Sequence, residues 1–393
     1  MQVRWGLYCG LMLSLTAFSI DIILPAFPGL SAGLDVSTQK IQLVVPVYLF
    51  AMGLAHPFYG ALTDRVGRKP GVYFGLSIFI AGTLVCFLAT SLSVLLVGRF
   101  LQGFGAAASS VICRAMIRDR FSGSELAQNM AVASLFFAIG PVLAPLIGYL
   151  IYASVGWRGV FGFLILFALI LSCITYRQPE TLPLAQRRNS DWQLVIADFF
   201  AVYQQNQSRY FILLGIVCSG LIISFLEHAQ VLYAELGASS ARFALLFALS
   251  SVGIVFGQIA NLFLIRKLGV VSTAKIGAAI VCATCLCILI AVFNGVLTDR
   301  LMTVLMMAFH TSYLILYSNF VSLTLDPHAR RAGAAAAAFG FGSYMGGSVL
   351  AALITWVANE QLSRWSVCFF VLSAVIAVGV WFWRTPILAN KVS

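Results

Sequence analysis

Charge is what this chain has least of. Only 9% of its 393 residues are Asp, Glu, Lys or Arg, against roughly 25% in a soluble domain. A water-soluble globule of this length could not cover itself with so few polar groups, so the chain must use lipid as its solvent. Acids are the scarcer sign: 13 Asp and Glu stand against 24 Lys and Arg, for a formal charge of +11. There is no G-x-x-x-x-G-K-[ST] phosphate loop, no cluster of metal-ligating residues, and no paired nucleophile and base. Those absences argue against an enzyme and exclude ATP-driven pumping within the chain. No extramembrane stretch is long enough for a signalling domain. No basic patch is interleaved with solvent-facing aromatics, so nucleic acid is not an expected partner.

What is there is oil: 61% of the residues are hydrophobic. All nine cysteines lie inside apolar runs. Cys282-Ala-Thr-Cys285-Leu-Cys287 has a redox-like spacing but no second ligand pair, so these are read as small core-filling thiols and no metal is expected. After Arg4, an apolar run extends from Trp5 to Pro28. It is too long for a signal-peptide core and has no small-residue cleavage site. It reads as a first transmembrane helix.

A span needs about 20 apolar residues. Six are placed near 5–28, 40–62, 71–90, 93–116, 127–153 and 158–176. A polar stretch, 177–209, carries Arg177, Glu180, Arg187, Arg188, Asp191 and Arg209. Six more spans follow near 210–235, 241–264, 273–293, 298–324, 332–357 and 365–384. The expected fold is an all-α integral membrane protein. It comprises a six-helix bundle over 1–176, a linker over 177–209 and a second six-helix bundle over 210–393.

Basic residues orient it. With the N-terminus inside, the inner segments hold Arg4, Arg65, Arg68, Lys69, Arg114, Arg118, Arg120, Arg177, Arg187, Arg188, Arg209, Arg266, Lys267, Lys275, Arg330, Arg331, Arg384 and Lys391. The outer loops hold Lys40, Arg158, Arg242, Arg300 and Arg364. Both termini and the linker are therefore expected in the cytoplasm. The halves echo each other: Gly60-x-x-x-Asp64 ends the second span, and Gly257-x-x-x-Asn261 ends the eighth, as a duplicated transporter fold predicts.

Three segments carry recognisable patterns. Gly60-Ala-Leu-Thr-Asp64-Arg65-Val-Gly67-Arg68-Lys69 packs charges into a short turn between apolar runs. Arg99-Phe-Leu-Gln102-Gly103-Phe-Gly105 lies in the fourth span. Gly140-Pro141-Val-Leu-Ala-Pro145-Leu-Ile-Gly148 lies in the fifth. The first resembles the G-x-x-x-D-R/K-x-G-R-R/K loop of the major facilitator superfamily, and the second its R-x-x-x-Q-G-x-G pattern. The third resembles the antiporter motif of drug exporters, with Phe136 in place of an early glycine and Ala144-Pro145 in place of a glycine pair. Together with Ser19-Ile-Asp21-Ile-Ile-Leu-Pro25-Ala in the first span, this looks most like the Bcr/CflA branch. The resemblance implies a monomeric multi-pass protein of the bacterial inner membrane that exports small apolar or cationic compounds such as drugs. The energy source would be the proton gradient, with no cofactor. An exporter of a natural metabolite (siderophore, nucleoside or sugar) and a proton-coupled uptake symporter remain the alternatives.

Asp21 is a carboxylate within the first span, about 24 Å from Trp5 at 1.5 Å per residue. It should face a wet cavity or a partner. Arg99 enters from the other face to a similar depth, so the two could form a switchable proton site or a fixed structural pair. Gln102 would extend the polar network toward a cavity. Glu227, beside His228 in the seventh span, loosely parallels Asp21. It is either a second proton site or a residue facing water at the outer interface. His310, Tyr313 and Tyr317 share one face of the tenth span and suit either a substrate cavity or helix packing. His56 reads as a satisfied packing residue.

By resemblance, Gly60, Asp64, Arg65, Gly67 and Arg68 form a latch between the halves. Asp119 is an arginine partner, and Asp64 is drawn to the N-terminus of the eleventh span. Gly140, Pro141, Pro145 and Gly148 would make a kinked, close-packed fifth helix at the seam.

Overall fold

A computed structural model describes residues 3–187, 192–359 and 361–383. Arg188, Asp191, Arg384 and Lys391 lie outside the described residues. The first bundle begins with α1 (Val3–Asp21), a 3-10 turn (Leu24–Ala26) and α2 (Phe27–Leu34). It continues with α3 (Thr38–Gln42), α4 (Val44–Val66), α5 (Arg68–Phe87), α6 (Leu92–Arg120) and α7 (Gly123–Tyr176). A short helix, α8 (Trp192–Gln204), occupies the linker. The second bundle holds α9 (Asn206–Glu235), α10 (Ser240–Phe293), α11 (Asp299–Leu325), α12 (Ala332–Phe341), a π-turn (Gly342–Gly346), α13 (Gly347–Ala358) and α14 (Leu362–Phe382).

Two of these helices are 54 residues long. At 1.5 Å per residue each would run about 80 Å, far beyond a bilayer core of about 30 Å. Each bends at one glycine with positive φ, Gly156 (77°) in α7 and Gly269 (78°) in α10. A side chain with a Cβ rarely adopts that conformation. The bends divide the two helices into four spans, which makes twelve among the described residues.

The first span reaches beyond Pro28, its expected end. Helix α1 stops at Asp21, the chain turns through Leu24-Pro25-Ala26, and α2 restarts with Pro28 in its first turn, where no proline N–H is needed. The linker is likewise more ordered than its polarity suggests, because α8 docks on α12. Tyr203 Oη donates to the Ala338 carbonyl at 2.9 Å, Phe199 packs on Phe341, and Asp198 pairs with Arg331 at 3.2 Å.

The halves meet along two seams, α4 against α12 and α13, and α7 against α10. Small residues allow the backbones of neighbouring helices to touch. An added Cβ at Gly103 of α6 would collide with the Tyr48 carbonyl of α4. Within the Cys282–Cys287 cluster, Cys285 is buried, Cys282 is half-buried and Cys287 is exposed; of these three, only Cys285 fills the core.

The glycine joints correct the repeat register. Gly67 (φ 104°, ψ 163°) joins the second and third spans as Gly269 (φ 78°, ψ 170°) joins the eighth and ninth. Aligned on those joints, Asp64 corresponds to Arg266 and Gly60 to Leu262. Asn261 is not the counterpart of Asp64. It is buried and accepts from Asn319 Nδ2 at 2.7 Å.

Candidate functional site

Arg99 is fully buried. Its Nε donates to the Val44 carbonyl at 3.0 Å. Its Nη1 donates to the Ser19 carbonyl at 3.0 Å and to Gln102 Oε1 at 2.5 Å. Its guanidinium lies 4.3 Å from the centre of the Tyr48 ring, a cation–π contact. Nη2 has no partner among the described residues. Gln102 Nε2 donates to Thr83 Oγ1 of α5 at 2.9 Å. Gln102 therefore braces Arg99 and does not line a cavity, contrary to expectation.

The expected pair of Asp21 and Arg99 does not form. Arg99 spends its donors on main-chain carbonyls, including Ser19 two residues before the acid. Asp21 closes α1, is 3% exposed, and makes no hydrogen bond or ion pair among the described residues.

Glu227 does not face water at an interface. It is 1% exposed between α9 and α13. Thr355 Oγ1 donates to its Oε2 at 2.6 Å, and Oε1 has no partner. His228 is also buried; its Nδ1 lies 2.8 Å from the Ser224 carbonyl, and Trp365 Nε1 donates to Ser224 Oγ at 3.1 Å. Asp21 and Glu227 thus share one condition: each is a buried acid without a cation beside it. Thr355 was illegible in sequence, because a helical threonine carries no sign of its partner 128 positions away.

The aromatic stripe of α11 splits. His310 Nδ1 donates to the Ser250 carbonyl at 3.0 Å among Phe225, Phe247 and Phe309. That is packing against α10, so His310 leaves the cavity set. Tyr313 and Tyr317 stay together, 5.7 Å between ring centres. Tyr317 also packs edge-on against Phe339, 5.3 Å between ring centres. His56 meets Tyr344 across the seam at 5.3 Å. Its Nδ1 donates to the Met52 carbonyl at 2.7 Å, and its Nε2 lies 3.3 Å from Ser110 Oγ. Tyr344 sits in the π-turn, and such turns often mark functional sites.

The charged loop forms one network within the first half. Arg68 is buried. It donates through Nη1 to Asp64 at 2.6 Å and Thr63 at 3.0 Å, and through Nε to Asp119 at 2.7 Å. Glu180, not foreseen as a site residue, accepts from the main-chain N–H groups of Arg68 and Lys69, both at 3.0 Å. It thereby caps the N-terminus of α5, where an anion is favoured. In return Lys69 Nζ donates to the carbonyls of Tyr176 and Gln178 at the end of α7. A carboxylate following the sixth span on the loop side was the available signal. Neither Asp64 nor Arg65 bonds to the second half among the described residues. A Cβ added at Gly60 or Gly333 would meet open space. The inter-half latch expected here is not closed in this conformation.

In the fifth span the helix continues through Pro141 and Pro145; Gly156 is the residue of α7 with non-helical backbone angles. The expected close packing is present. A Cβ on Gly140 would collide with Ala17, and one on Gly148 with the Ile22 carbonyl beside Asp21. Phe136, the motif's departure, lies against Gly10 of α1. The small residue has moved to the facing helix.

Comparison with known proteins agrees with this architecture. The sequence pattern of the Major Facilitator Superfamily matches residues 9–351. A bicyclomycin resistance protein homolog of Haemophilus influenzae is 24% identical, with 94% of this chain and 93% of that protein covered. Multidrug resistance protein D of Escherichia coli is 30% identical over 63% of this chain and 62% of that protein. The crystal structure of a D-xylose–proton symporter superposes with a TM-score of 0.79 at 15% identity, over 96% of both chains. With its twelve spans among the described residues, arranged in two six-helix halves, and its charged loop, the chain belongs to the major facilitator superfamily and is a multi-pass membrane transporter, not an enzyme.

Proposed function

We propose that this transporter is a proton-driven antiporter. It exports small, mostly apolar compounds, drugs among them, from the bacterial cytoplasm by alternating access. The end carrying Arg65, Arg118 and Arg177 is cytoplasmic, as are both termini. Residues 1–176 and 210–393 are the two moving bodies, tethered by 177–209. Cationic cargo fits the acids in the state that uncovers them.

The observation that carries this reading is the condition of Asp21 and Glu227. Each is a buried acid with no cation to neutralise it permanently. A permanently paired acid is a structural fixture. An unpaired one can exchange a proton whenever water reaches it. A proton or a cargo molecule drives the cycle only by binding the two states differently. Asp21 is well placed for that, at the break in the first span where Gly148 of the antiporter segment touches the main chain. Asp64 pairs with Arg68 of its own half here, so the latch around Asp64 would close in the opposite state.

The test is transport in everted membrane vesicles with an imposed pH difference. Wild-type protein should accumulate drug in exchange for protons. Asp21→Asn and Glu227→Gln should bind drug yet lose the proton-driven component. Undiminished proton-driven export in both single variants and in the double variant overturns the reading. Cargo and protons moving in the same direction would replace antiport with symport.

A further inference from the structure

Arg114 belongs to the seam, not to a loop. It lies six residues before the end of α6, about 9 Å inside the helix end. It is exposed and makes no hydrogen bond or ion pair among the described residues. Ser110, one turn earlier on the same face, touches His56 Nε2 of α4. His56 in turn packs on Tyr344 of the second half, 5.3 Å between ring centres. Those two residues belong to opposite halves, so Arg114 points between the halves.

Toward the basic end of the seam, a Cβ added at Gly60 or Gly333 would meet no other atom. At the other end Leu24–Ala26 is buried and touches α9 and α10. Beyond Arg114 the walls are rings: His56, Tyr344, Tyr317 and Tyr313. Ser219 Oγ and Ser343 Oγ of the same region are buried without a hydrogen-bond partner.

We propose that Arg114, with the ring wall of Tyr317, Tyr344 and His56, is a loading site for the carboxylate of a small aromatic acid. A guanidinium presents a planar fork that matches a carboxylate. Aromatic walls stack on an aromatic body and leave their polar tips free to bond it. The unpartnered serine hydroxyls add donors deeper in. This deepens the transport reading and rests on it. The charge that incoming cargo meets first is positive, while the acids at Asp21 and Glu227 are sealed in this conformation. The class includes zwitterions whose acid end enters first.

The experiment measures equilibrium binding of radiolabelled salicylate and of its neutral amide, salicylamide, to the full-length protein in nanodiscs. Wild-type protein should favour salicylate by about 10- to 100-fold, the range of a hydrogen bond to a charged group. Arg114→Gln should lose that preference while still binding salicylamide. Arg114→Lys, which keeps the charge without the fork, should keep a smaller preference. The loading site is overturned if wild-type protein binds the two probes equally, if it binds no salicylate, or if Arg114→Gln keeps the preference. It is also overturned if Arg114→Lys loses the preference completely. Loss of proton-driven drug flux with salicylate binding intact would sink the antiport reading alone. Intact flux without acid preference would sink this site alone.

Discussion

The hydroxyl of Thr355 donates to Oε2 of Glu227 at 2.6 Å, while Oε1 of the same carboxyl group has no partner. A half-satisfied buried acid is costly to disturb, because removing its single donor leaves both oxygens stranded. Thr355→Val, which keeps the shape and deletes the hydroxyl, should destabilise the protein by about 1–3 kcal/mol. Adding Glu227→Leu should recover most of that loss, since both polar partners are then gone. Thermal unfolding in nanodiscs reads the difference. If the double variant is less stable than Thr355→Val, the bond is not what stabilises the α9–α13 contact.

Two acids share Arg68, and they should not matter equally. The Asp119 side chain is 17% exposed and lies against Nε, with Nη2 at 3.4 Å. The Asp64 side chain is 43% exposed and lies against Nη1. Solvent screens the second pair, so Asp64→Asn should cost about 0–1 kcal/mol. Asp119→Asn, which leaves a buried guanidinium short of its better partner, should cost about 1–3 kcal/mol. Transport should rank the other way if Asp64 has a second role when the latch closes. Paired melting and flux measurements separate the two. An Asp64→Asn protein with full stability and full flux removes the latch from the mechanism.

Gly148 tolerates no side chain against Ile22. The obstacle is a main-chain carbonyl, which cannot rotate aside as a side chain can. Gly148→Ala should therefore cost about 1–3 kcal/mol through overpacking and should slow transport. Gly156→Ala fails for a different reason. Space is open there, but φ of 77° strains any residue with a Cβ. Gly60→Ala, which meets neither obstacle in this conformation, should leave folding unchanged. A melting temperature for Gly148→Ala equal to wild type would show that α1 and α7 separate freely.

The sequence by itself determined the solvent, the span count and the charged loop. Burying 61% hydrophobic residues has one solution at this length, and each span writes a continuous apolar run that needs no partner to be read. Motif spacing also survived into three dimensions: Arg68 met Asp119, and Gly140 and Gly148 met the first span. Which polar side chains bond to each other was decided only by the tertiary structure. Arg99 found carbonyls and a tyrosine ring where a carboxylate was expected, and Gln102 and His310 turned into helix contacts. Glu227 found Thr355, and Arg114 came to lie between the halves. The physical reason is angular. A helix fixes the height of a residue in the membrane, but a few degrees of rotation decide whether its side chain meets lipid, a neighbouring helix or the seam. That rotation is set by packing against helices far away in the chain, and no local pattern records it.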